Sequence, residues 1–238
     1  MIGVGVVGFG YWGPNLARNF SQASRAKVVA ICDGHPSRRA QAQALYPAVR
    51  IYSDFQDILK DTSIDAVAIA TPVASHFQLG MAALRAGKHV LVEKPLALTS
   101  AEGLEMVTFA ERHKKVLMVG HTFVYTSAVE KIRELVEAGQ LGQLYYYDSV
   151  RVNLGLFQSD VNVLWDLGVH DLSIMDHVIR ERPVAVAATG IASVKEHPES
   201  LGYLTCFFPD RLIAHFHVSW LAPVKIRRTL IGGSEKMI

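Results

Sequence analysis

Cysteine is almost absent from this chain. Cys32 and Cys206 are the only two in 238 residues and stand far apart, which excludes a disulfide framework and the paired spacing of a zinc site. A reducing compartment fits that usage, and the cytoplasm is the expected location. An excess of one charge is missing as well: 24 Lys and Arg face 22 Asp and Glu, a formal net charge of +2. That balance argues against a nucleic-acid or anionic-membrane footprint. Long apolar runs are also lacking, since no window reaches the roughly 20 residues that cross a bilayer. The apolar start, residues 2–7, is broken by glycines and precedes the first basic residue, Arg18, so it reads as a strand and not as a signal peptide. What is present is core-forming: 50% of the residues are hydrophobic, which excludes disorder. With domains averaging roughly 150 residues, the length gives one large domain or two modest ones.

Two textures follow each other along the chain. Up to about residue 120, apolar strands at 2–8, 27–32, 66–70, 89–92 and 116–119 alternate with helices at 13–21, 37–45, 54–60, 75–86 and 99–115. Continuous apolar strands between helices predict a parallel sheet covered on both faces. Gly87 suits a left-handed helix end, and Thr99 with Glu102 has capping-box spacing. Beyond Gly120, Ser127 and Glu130 repeat that spacing at the start of a helix over 127–138, with Arg133 and Glu137 paired one turn apart. A long strand at 144–154 and a helix at 165–179 come next. Strands alone follow, at 184–194, 203–208, 212–220 and 225–231, with Pro209-Asp210 as a turn. The expectation is an α/β domain over residues 1–120 and an α+β domain over 121–238 on an antiparallel or mixed sheet.

Gly8-Phe9-Gly10-Tyr11-Trp12-Gly13 is a GxGxxG run that ends a strand, opens a helix and is followed by Asp33 at the end of the second strand. This context is the dinucleotide fingerprint. Gly8 permits the tight turn, Gly10 lets backbone approach a pyrophosphate, and Gly13 lets the helix close on the sheet. The positive helix end then faces the phosphates. Asp33 would accept from the adenosine ribose and repel a 2′-phosphate, favouring NAD, while Arg38 and Arg39 keep NADP as the alternative. Thr71-Pro72 and His76 fall on the same sheet edge and should flank the cofactor; helix capping by Thr71 or Ser75 is the plainer reading. Glu93-Lys94-Pro95 ends another strand on that edge, where an ammonium can favour a developing alkoxide; a solvated surface charge is the alternative.

Asp166 and His170 stand four apart in an apolar helix and so share a face. Histidine is the natural proton acceptor near neutral pH, and a carboxylate one turn away can orient it or share a hydroxyl. Each also has a structural reading, dipole compensation for the aspartate and core packing for the histidine. His215 and His217 alternate on one strand and, with His170 and His177, raise the thought of a metal site. No thiolate or HExxH pair supports it, so no metal is expected.

Taken in order, Gly8-x-Gly10-x-x-Gly13, Thr71-Pro72 with His76, the stretch from Ala86-Gly87-Lys88-His89 to Glu93-Lys94-Pro95, and Asp166-x-x-x-His170-Asp171 resemble the glucose-fructose oxidoreductase, inositol dehydrogenase and MocA superfamily. The resemblance implies a Rossmann domain with a doubly wound parallel sheet that binds NAD(P) through residues 8–13, Asp33, Arg38, Thr71, Pro72, His76, Glu93 and Lys94. It implies a C-terminal α+β domain on a large open, mostly antiparallel sheet, with a sugar or cyclitol held between the two. The catalytic lysine maps onto Lys94, and the aspartate and histidine onto Asp166 and His170. The stretches His121-Thr122-Phe123-Val124-Tyr125 and 145–155 are similar to members found with nucleotide-sugar biosynthesis, which adds Tyr125 and Asn153 to the substrate-binding candidates. Domains of this type usually continue past the point where Ile238 stands, so a piece of a longer protein is expected.

The reaction expected is reversible oxidation of a secondary ring alcohol. A cofactor-binding regulator is the alternative from another class, and a reductase of a non-carbohydrate carbonyl or imine is a third. A homodimer or homotetramer through the C-terminal sheet is expected, with Phe216, Trp220 and Leu221 as its apolar surface unless they pack beneath helices.

Overall fold

Six short apolar segments pair side by side because each is bounded by turn-forming residues and none carries a charge between its ends that would have to be buried. The computed structural model describes residues 1–155, 157–158 and 160–238, and these form two compact units, Met1–Gly120 and His121–Ile238.

In the first unit the order is β1 (Ile2–Val7), α1 (Gly13–Gln22), β2 (Ala26–Cys32), α2 (Pro36–Leu45), β3 (Arg50–Tyr52), α3 (Phe55–Lys60), β4 (Ala66–Ile69), α4 (His76–Arg85), β5 (His89–Val92), α5 (Ser100–Arg112) and β6 (Leu117–Val119). All pairings are parallel, in the spatial order β3-β2-β1-β4-β5-β6. That is the doubly wound arrangement, whose order reverses between β1 and β4. Successive residues enter opposite faces: Val67 and Ile69 pack with Met81, Leu84 and Met106, whereas Val6 and Ala68 pack with Ala17 and Ala42. Helices α1 and α2 therefore cover one face, and α3, α4 and α5 the other. Gly87 ends α4 at φ 76°. Thr99 and Glu102 complete the capping box of α5 reciprocally.

The second unit contains α6 (Ser127–Glu137), β7 (Leu144–Leu154), α7 (Val169–Val178), β8 (Ala185–Ile191), β9 (Leu201–Phe207), β10 (Ile213–Ser219) and β11 (Leu221–Gly233). Its sheet runs β11-β7-β10-β9-β8; β7 and β10 are parallel and the other neighbours antiparallel. Val129 of α6 and Ile174, Met175 and Val178 of α7 pack on one face against Tyr147, Cys206, Ala214 and Phe216. The opposite face is open, with Tyr146, Tyr203, Phe207, Ile213 and Leu230 exposed.

Several expectations need correction. Phe216 and Trp220 are each 1% exposed and belong to the core side, so the apolar surface of the sheet is made by other residues. Ser127 does not cap α6: the N-cap is Thr126, without a side-chain bond, because Glu130 turns toward His177 and Arg133 instead. The helix expected at 165–179 opens as a π-helical turn, Leu164–Gly168, before α7 begins.

Candidate active site

The glycine turn follows from backbone crowding. Gly8 sits at φ 89°, and a Cβ there would come within 2.7 Å of the Ala70 carbonyl oxygen. A Cβ on Gly13 would overlap the Gly8 carbonyl, so both positions are closed to larger residues. At Gly10 the nearest atoms are those of the Arg38 guanidinium, 3.4 Å from where a Cβ would stand. The N-terminus of α1 has no side-chain cap and no acidic residue in its first turn. Its free N–H groups and positive dipole end suit a phosphate, which is the fit a dinucleotide requires.

Asp33 ends β2 beside this turn and is 6% exposed. Its Oδ2 accepts from the Phe9 N–H at 2.7 Å and its Oδ1 from the His35 N–H at 2.8 Å. A carboxylate has about four lone-pair sites, so acceptor capacity remains for ribose hydroxyls. Arg38 Nη1 lies 3.7 Å from Asp33 Oδ2, while Arg39 is committed to the Asp33 and Gly34 carbonyls. Phe9 contributes only backbone here, because its ring is buried against Tyr46. Tyr11 and Trp12 are exposed and stack on each other. Burial, reinforced by the Asp33 charge, pushes the Cys32 thiol up to about 11, so this cysteine stays protonated.

The loops after β4 and β5 are tied together. Ser75 Oγ lies 2.7 Å from both Thr71 Oγ1 and the Pro72 carbonyl, and neither Thr71 nor Ser75 caps a helix with its side chain. His76 is buried, with Nδ1 2.8 Å from the Pro95 carbonyl and Nε2 2.8 Å from the Thr71 carbonyl. It bridges the two loops instead of facing outward. Lys94 follows β5 and precedes a cis peptide to Pro95. Burial raises the Glu93 carboxyl pKa, against the opposing Lys94 backbone N–H and Trp12 indole. That carboxyl lies on Gly120, where a Cβ would stand 3.0 Å from both of its oxygens. Nothing in the spacing of Glu93 and Gly120 signals this contact.

In the second unit, Asp166 lies in the π-helical turn, and its Oδ2 accepts from the Trp220 indole N–H at 3.0 Å. Trp220 is fixed among Val163 and Val218, so the carboxylate is anchored by the core. His170, in the first turn of α7, sets its ring edge-on to Phe123, with centroids 4.9 Å apart at 80°. The next residue, Asp171, is buried and takes a bidentate bond from Arg151, Nε to Oδ2 and Nη2 to Oδ1, both 2.8 Å. Arg151 in turn lies over the Phe123 ring, 4.5 Å from its centre. The Arg151–Asp171 pair was invisible to motif reasoning, since β7 and α7 meet only through the fold. Tyr125 is exposed, and Asn153 is half-buried beside Gly155, where a Cβ would stand 2.6 Å from its amide nitrogen.

The histidines do not gather. His215 and His217 project from the open sheet face, stacked with Tyr203, and His177 bonds Glu130 between α6 and α7. Burial, then the neighbouring His215, lowers the His217 pKa. Among the described residues no group of three or more His, Cys, Asp or Glu is placed to hold a metal ion, and no helix is long and apolar enough to cross a membrane.

Comparison with known proteins adds a family. Residues 2–121 match the family model described as "Oxidoreductase family, NAD-binding Rossmann fold" and residues 129–238 match the "GFO/IDH/MocA C-terminal domain". Inositol 2-dehydrogenase 2 of Saccharopolyspora erythraea is 31% identical over 189 residues, covering 78% of this chain and 56% of that protein. UDP-N-acetylglucosamine 3-dehydrogenase of Acidithiobacillus ferrooxidans is 30% identical over 193 residues, covering 81% and 59%. The chain spans less than two thirds of the length of either relative. The crystal structure of an NAD-binding protein from Listeria innocua superposes with a TM-score of 0.90 at 26% identity, covering 99% of this chain and 72% of that one.

Proposed function

This chain belongs to the GFO/IDH/MocA family of oxidoreductases with an NAD-binding Rossmann fold, and from that premise we propose that it oxidises, reversibly, a secondary alcohol of a sugar, nucleotide sugar or cyclitol. The observation that carries this reading is the head of α7, where a carboxylate anchored by a core indole and an imidazole fixed by Phe123 occur within one turn. NAD, when bound, supplies the acceptor for the hydride that leaves the alcohol carbon. The chain's own residues do the rest. His170 accepts the hydroxyl proton, Lys94 donates a hydrogen bond to the same oxygen and favours its alkoxide character, and Asp166 holds the geometry. Gly8, Gly10, Gly13 and Asp33 hold the dinucleotide, with Thr71, Pro72, Glu93 and Arg38 around it and His76 bracing the loops. Tyr125 and Asn153 complete the substrate contacts.

NADH formation from NAD with a panel of sugars, nucleotide sugars and cyclitols tests this directly. Turnover of at least one supports it; tight NAD binding without turnover across the panel favours a regulator instead. For the cofactor, Asp33→Ser should lower kcat/KM with NAD by about tenfold or more, the cost of losing a charged acceptor. The loss with NADP should be smaller, because repulsion of the 2′-phosphate goes with the charge. Equal losses with both cofactors would remove Asp33 from the ribose.

We propose also that copies associate through the open face of the second sheet, on the strength of its exposed Tyr203, Phe207 and Ile213. Tyr203→Glu with Ile213→Glu should reduce the mass measured by sedimentation to that of one chain; an unchanged mass would place the interface elsewhere. The two buried, unpaired cysteines support a cytoplasmic setting.

A further inference from the structure

One cation near His170 is used by none of the chemistry above. Arg227, on β11, is directly in register with Arg151 on β7. The two therefore emerge on the sheet face that carries α7, and both guanidinium groups lie over the ring of Phe123, at 4.5 Å for Arg151 and 5.4 Å for Arg227. Their circumstances differ. Arg151 is buried and neutralised by its bidentate partner Asp171. Arg227 is exposed and forms no ion pair with any described residue. Burial of its stem and the adjacent Arg151 charge push its pKa down, against a weaker pull from Asp171.

A second guanidinium beside a neutralised one gains nothing from the fold, since like charges repel and Asp171 is already saturated by two hydrogen bonds. Lying over an aromatic ring does restrict where the planar fork can go, which lowers the entropy lost when it grips an anion. His170 lies against the same ring, 4.9 Å from its centre. The Arg227 guanidinium is thus no farther from the imidazole than 4.9 and 5.4 Å laid end to end. A sugar ring with one charged substituent bridges such a span.

We propose that Arg227 is a specificity-determining residue that binds an oxyanion carried by the substrate, a carboxylate or a phosphate, while His170 takes the proton from a ring hydroxyl of the same molecule. The substrate class is then an acidic sugar derivative, not a neutral cyclitol. This rests on the assignment of His170 as proton acceptor, and it adds a recognition element that neither the motifs nor the relatives' names supply.

The test compares three probes on the NAD-loaded protein: a free hexuronate, a nucleotide sugar without a carboxylate, and myo-inositol. Wild-type protein should favour one of the two anionic probes, and whichever it is identifies carboxylate or phosphate as the group bound. Arg227→Gln should cut the anionic-to-neutral ratio of kcat/KM by about a hundredfold through KM, and Arg227→Lys should restore part of it, as expected for a charge-assisted bond. Equilibrium binding of each probe is measured in parallel. If nothing is turned over but Arg227→Gln still abolishes binding of an anionic probe, the oxidoreductase reading fails and the anion site stands. If the ratio is unchanged in Arg227→Gln, or wild type prefers myo-inositol, the proposal is overturned.

Discussion

Lys94→Ala and His170→Ala should each lower turnover at least about a hundredfold, about 2.7 kcal/mol of lost transition-state stabilisation, while NAD binding persists. The two losses have different origins. Without His170 the hydroxyl proton has no positioned acceptor, so the rate of His170→Ala should recover in part as buffer base or pH rises. Without Lys94 the oxygen loses a cationic donor, and no external base replaces it. Persistence of NAD binding follows because the groups that fit the dinucleotide, Asp33 and the open turn at Gly10, lie elsewhere in the first unit. Stopped-flow turnover and fluorescence titration of NADH separate the two readouts. Wild-type-like turnover in either variant would take that residue out of the mechanism.

Legibility of the fold followed the length and regularity of each signal. The alternation of apolar strands with helices announced the parallel sheet, and Thr99-x-x-Glu102 announced a cap that forms as spaced. Arg50–Tyr52 was not anticipated, because three residues carry no period. The same spacing at Ser127 and Glu130 gave no cap: His177 on α7 offers Glu130 a stronger partner than a backbone N–H, and local pattern cannot see a neighbouring helix. The π-helical turn at Leu164–Gly168 was likewise hidden, since five residues fit a π and an α spacing equally. Phe216 and Trp220 sit on a strand whose two faces are both partly apolar, so period alone could not choose the side. At the candidate site, motif residues were legible and their supports were not. Trp220 beneath Asp166, Gly120 beneath Glu93 and Phe123 beside His170 are contacts between segments distant in sequence.

The largest effect on stability should come from the same hidden layer. Arg151 and Asp171 are each 4% exposed at the side chain and meet through two 2.8 Å bonds. Taking both charges out of water costs several kcal/mol per ion, and the pair repays this only while both are present. Asp171→Ala removes the anion and leaves a guanidinium buried against Phe123 with no counter-charge, so it should destabilise the second unit by about 3–5 kcal/mol. Asp171→Asn keeps a hydrogen-bond acceptor and should cost less. The double variant Arg151→Met with Asp171→Leu replaces the pair with apolar groups of similar bulk and should recover most of the loss, because no charge is then stranded. Urea midpoints for the four proteins give the comparison. If the double variant is as unstable as Asp171→Ala, the pair contributes net stability, beyond balancing its own desolvation. Turnover should not return with stability in the double variant. Asp171 directly follows His170 and Arg151 lies over Phe123, so apolar replacements leave the imidazole less constrained even in a well-folded chain.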